Sequence, residues 1–68
     1  MNQIENEAAE FDQLISALRA VASSSGNLQK ELDRGEFQAS RQMAEASLAL
    51  QQAIRAIQHA RDSYLKEC

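Results

Sequence analysis

Leu32-Asp33-Arg34-Gly35-Glu36-Phe37 divides this 68-residue chain into two runs that each carry a helical pattern. Gly35 is the only strong breaker near the midpoint, because the sequence has no proline and only one other glycine, Gly26. A glycine just past a periodic segment suits the left-handed residue that ends many helices, since without a Cβ that conformation carries no steric cost. Lys30 and Arg34 stand in the preceding turn, where cations favour the negative end of the helix dipole. Arg34-Gly35 is therefore expected to be the turn of a helical hairpin, with Gly35 at positive φ.

In the first run Asn2, followed by Glu5 at the third helical position, forms a variant of the capping box. Ile4, Phe11, Leu18 and Leu32 fall at one heptad position, and Ser25 completes the series. Leu14, Val21 and Leu28 fall three residues later, with Glu7 the exception. This 3-4 spacing is the seam of a helix packed lengthwise on another helix. Ser23-Ser24-Ser25-Gly26-Asn27 breaks the composition, at a cost of roughly 2–3 kcal/mol in a helix relative to alanines. Yet Val21 and Leu28 keep their phase across it, and residues 27–34 are too few to stand as a separate helix. One helix over about 3–33 is expected. Its small residues suit close approach of a second helix, with a hinge or a loop as the alternatives.

The second run repeats the beat. Met43, Leu50, Ile57 and Tyr64 recur every seven residues, and Ala39, Ala46, Ala53 and Ala60 recur in step with them. Alternating large and alanine layers let two helices pack closely, and Ile54 widens the stripe beside Ala53. A helix over about 37–66 follows a turn at about 34–36, so the two rods match at about thirty residues, on the order of 45 Å each. The expected fold is a single all-α domain, an antiparallel, coiled-coil-like two-helix hairpin. In it Phe11, Leu14, Leu18, Val21, Leu28 and Leu32 pack on Met43, Leu50, Ala53, Ile57 and Tyr64. Two helices leave their flanks open, however. Ile15, Phe37 and Leu48 lie off the main stripes, and large apolar residues left outside a seam mark them as candidate partner-binding residues.

Composition narrows the function. A chain this short sits near the stability threshold unless disulfides, a metal or a partner help it. One cysteine, Cys68, excludes an internal disulfide, and one histidine beside it cannot make a structural zinc site. Association with another chain is what remains. Net charge is −3, from seven basic and ten acidic residues, and no basic stripe exists to displace counterions from phosphates. Nucleic acid is therefore not an expected partner. No apolar run approaches eighteen residues and no export signal is evident, so a membrane is not expected either. A lone thiol fits a reducing cytoplasm.

Catalytic groups do not converge. His59 falls two positions past Ile57, on the polar face, and Cys68 has only Lys66 near it as an activating cation. Glu5, Glu7, Glu10 and Asp12 are spread around a helix, where they suit its dipole better than acid–base work. No glycine-rich phosphate loop or metal-ligand spacing occurs. Neither enzymatic activity nor a cofactor is expected.

Met1-Asn2-Gln3-Ile4-Glu5, Leu28-Gln29-Lys30-Glu31-Leu32-Asp33-Arg34-Gly35, Ala49-Leu50-Gln51-Gln52-Ala53-Ile54 and Ile57-Gln58-His59 together resemble the YscE family. These are small cochaperones of the type III secretion needle protein, also called PscE, AscE or EscE. Residues 23–27 depart from that pattern, which carries stronger helix formers there. The resemblance implies a cytoplasmic bacterial protein that binds a chaperone of tetratricopeptide-like repeats. Together the two would keep the needle subunit monomeric and soluble before secretion. The alternatives are a needle or inner-rod-like structural subunit, and a homodimer in which two hairpins close into four helices.

Overall fold

A computed structural model describes residues 3–67. The expected cap at Asn2 and the thiol of Cys68 lie outside the described residues. The described residues form two helices, α1 (Gln3–Arg34) and α2 (Ala39–Glu67). They lie side by side as an antiparallel hairpin with Cα extents of 51 × 18 × 9 Å. The molecule is one helix thick.

Three cross-helix contacts fix the register. Near the open end the rings of Phe11 and Tyr64 pack with centroids 5.9 Å apart, tilted by 47°. One turn in, Arg61 Nη1 donates to Asp12 Oδ1 over 2.9 Å. At mid-length the hydroxyls of Ser25 and Ser47 share a 2.9 Å hydrogen bond. Tilted rings at this separation suit the aromatic quadrupole, and the serine pair satisfies both hydroxyls inside a seam that would otherwise desolvate them.

Helix α1 runs unbroken through residues 23–27. Ser25 points into the seam and is bonded there, which removes the competition that a free serine hydroxyl offers to helical backbone. Gly26 plays no part in close approach, because a Cβ added to it would meet nothing within 4 Å. Its cost relative to alanine is uncompensated.

The turn differs from expectation in a way that explains both of its middle residues. Helix α1 includes Arg34, and α2 begins only at Ala39, two residues later than the sequence suggests. Gly35 does not have positive φ; Glu36 does, at 59°. Gly35 N–H still donates to Glu31 O (3.2 Å), the last bond of helical type. Glu36 N–H then donates to Asp33 O and Phe37 N–H to Leu32 O, each over 3.0 Å. This nested pair is a Schellman closure with Glu36 in the left-handed position that glycine usually holds. Gly35 serves space instead, since a Cβ there would run into the Phe37 ring folded back over it. Arg34, in the last turn of α1, bridges to Glu31 at 3.0 Å on the surface. Helix α2 opens with the tighter bonds Ser40 N–H to Phe37 O and Arg41 N–H to Gln38 O.

Two substitutions separate these roles. Glu36→Gly is expected to raise stability by about 1 kcal/mol, by relieving a left-handed non-glycine residue. Gly35→Ala is expected to lower it, by displacing the Phe37 ring. Urea unfolding followed by circular dichroism reads both, and opposite signs would move the strain to position 35. In the same assay Gly26→Ala is expected to add about 0.5–1 kcal/mol.

Candidate docking surface

Each helix shields two columns of side chains against the other. On α1 these are 4-11-18-25-32 and 8-15-22-29; on α2 they are 43-50-57-64 and 40-47-54-61. The first column of each helix is the one the heptad pattern indicates. The second is not. Leu14, Val21 and Leu28, expected inside the hairpin, are 50%, 52% and 50% exposed. Ala53 is half-buried as expected for a packing residue, while Ala39, Ala46 and Ala60 are exposed. Ile15, expected on a partner-binding flank, is the one buried apolar side chain among the described residues, at 4% exposure. Phe37 and Leu48 are exposed.

The cause is the width of the apolar stripe. On α1 it is three columns wide, and a single neighbouring helix covers only two. Rotating α1 toward the column of Ile15 and α2 toward the column of Ile54 brings both isoleucines into the seam. The same rotation allows the Asp12–Arg61 and Ser25–Ser47 bonds. The heptad reading missed Ser47 and Arg61, although the pairing of Asp12 and Arg61, opposite charges each beside a seam column, was the available signal. Arg61 is held above its ordinary pKa first by the hydrogen bond it donates to Asp12, and it stays charged.

The column left out forms a face. Leu14, Val21 and Leu28 follow Phe11, Leu18 and Ser25 by three residues, as Ala46, Ala53 and Ala60 follow Met43, Leu50 and Ile57. In an antiparallel hairpin, positions with the same offset lie on the same side, because the two helices are related by a pseudo-two-fold axis normal to their plane. The register set by Asp12–Arg61 and Ser25–Ser47 puts Leu14 close to the level of Ala60, Val21 to Ala53 and Leu28 to Ala46. A row of large side chains thus runs beside a row of alanines, with the outer edges of Leu18, Leu50 and Ile57 between them. Between the levels of Leu14 and Leu28 the columns just outside, Ala17 and Ser24 on α1 and Gln42, Ala49, Ala56 and Ser63 on α2, carry no charge; Glu10 and Glu31 close the α1 column at its two ends. Asp12, Arg19, Arg41, Arg55, Arg61 and Asp62 all lie elsewhere.

His59, Asp62, Ser63 and Lys66 line a shallow, open depression near the end of α2. Among the described residues, no group of three His, Cys, Asp or Glu side chains could hold a metal ion. No helix there is long and apolar enough to cross a membrane. No family model, curated protein or solved structure matches the chain.

The rotated seam has a direct check. Ile15→Ala is expected to lower stability by about 2–4 kcal/mol, the usual cost of truncating a buried isoleucine, while Leu48→Ala changes it by less than about 0.5 kcal/mol. A loss at Ile15 no larger than at Leu48, by thermal unfolding, would return the seam to the column of Leu14.

Proposed function

We propose that this chain is a non-catalytic cochaperone. It presents the Leu14-Val21-Leu28 face to the amphipathic helices of a tetratricopeptide-like repeat chaperone, and the two together keep a needle subunit soluble and unpolymerised in the bacterial cytoplasm. The observation that carries this reading is a row of half-exposed large side chains, Leu14, Val21 and Leu28, with no charge among them, on a hairpin that buries one apolar residue among the described ones. Surfaces of that kind are uncommon on self-sufficient monomers and take up a partner helix by its apolar stripe. The resemblance to the YscE family supports the class of partner.

The leucine row is a better docking surface than Phe37 and Leu48. Leu48 stands alone between Arg41 and Arg55 in its own column, and Phe37 is occupied in covering Gly35. An amphipathic helix on the leucine row would bury apolar surface without desolvating a charge, which a helix over Leu48 could not avoid.

Co-expression with the repeat chaperone encoded beside a type III secretion needle gene, followed by size-exclusion chromatography, tests the proposal. The two chains are expected to co-elute. Val21→Glu combined with Leu28→Glu is expected to weaken the complex about 100-fold, or about 3 kcal/mol, while Leu48→Glu leaves it intact. Failure to co-elute, or a complex indifferent to the double substitution, would overturn it.

A further inference from the structure

The same face is self-complementary, and we infer that in the absence of another partner it is covered by a second copy of this chain. The inference rests on the face's own geometry and is independent of the chaperone reading. Two hairpins placed face to face can be related by a two-fold axis running parallel to their helices. That operation preserves level along the helix and exchanges left for right. Helix α1 of one copy then lies over α2 of the other, antiparallel to it. Leu14 comes to sit over Ala60 of the other copy, Val21 over Ala53 and Leu28 over Ala46.

Every large side chain of the row therefore meets a small one, three times in each half of the assembly. Such layering is what lets facing helices interdigitate in four-helix bundles. The other two-fold arrangement, with its axis across the helices, stacks α1 on α1 and sets Leu14, Val21 and Leu28 against one another. It would also leave alanine over alanine on the far side, so the two hairpins could not close evenly. The parallel axis is the one the side-chain sizes select.

Area and charge agree with this occupant. Between Phe11 and Leu32 the face runs for about 33 Å of helix, across a hairpin 18 Å wide between Cα extremes. The projected footprint is about 600 Å² per copy, or about 1,200 Å² in the pair, before side-chain relief is counted. That reaches the range of specific, stable interfaces. From Leu14 to Leu28 no charged residue of the face would be desolvated: Glu7 stands beyond its end, the exposed Glu10 and Glu31 flank its two ends, and the ion pair Asp12–Arg61 lies on the other side. A single layer of two helices would become a bundle with an enclosed centre around Leu18, Leu50 and Ile57.

Sedimentation of the full chain and cysteine cross-linking test this together. The expected mass at tens of micromolar is twice the 7.6 kDa of one chain, and Leu28→Glu is expected to reduce it to one while Leu48→Glu does not. Cross-linking needs no destabilising change. In a Cys68→Ser background, Val21→Cys protein mixed with Ala53→Cys protein is expected to form disulfide-linked pairs about tenfold faster than either variant alone, because only that pair brings the two Cα atoms within bridging distance. A mass that stays at one chain over the whole concentration range would overturn the inference. So would preferential linkage of Val21→Cys to itself, which would identify the crosswise axis. Either result leaves the co-elution test of the chaperone reading unaffected.

Discussion

A helix in a two-helix hairpin has one neighbour, and that neighbour can cover only part of its circumference. Each helix here carries an apolar stripe, and on α1 the stripe spans three columns. The seam takes two of them. Whatever remains must face water or another molecule, so the width of the stripe, more than any single contact, sets what this protein can do. Ile15 buried and Leu14 half-exposed are two results of one rotation about the axis of α1.

Polar side chains determine which two columns are chosen. With the column of Ile15 inside, Asp12 meets Arg61 and Ser25 meets Ser47, each at 2.9 Å. With the column of Leu14 inside, Arg61 and Ser47 would lose those partners. The surface ion pair adds little to stability by itself, but it discriminates between two rotations of nearly equal apolar content. It also leaves the two broad sides of the hairpin chemically unlike. One side holds the ion pair and the other cations along α2, and the other side holds none from Leu14 to Leu28.

Much of the fold was legible in the sequence because heptad spacing is a strong signal over three or four repeats. The two helices, their antiparallel pairing, the continuity of α1 through Gly26 and the column of Phe11, Leu18 and Leu32 all follow from it. The rotation was not legible. Columns of Leu14 and Ile15 differ by one residue in sequence, and both fit an apolar stripe, so the choice depends on cross-helix pairs that no single run reveals. The turn failed for a similar reason. Glycine is the default left-handed residue, but here the Schellman closure puts the left-handed backbone at Glu36, while Gly35 leaves room for the Phe37 ring. Of the candidate partner-binding residues, Phe37 and Leu48 are on the surface as read, while Ile15 is in the seam.

The Schellman closure at Glu36 also has a kinetic meaning. Cross-helix contacts in this hairpin grow steadily in sequence separation, from a few residues at the turn to the Ser25–Ser47 bond and then to Phe11–Tyr64. Closing Phe11 on Tyr64 directly would fix the whole intervening chain at once, whereas closing it after the inner rungs adds only one more step of loop entropy. The least expensive order of assembly is therefore a zipper that starts at residues 32–37. The strained backbone of Glu36 lies in that first step, where it weighs on the speed of folding more than on the lifetime of the folded hairpin.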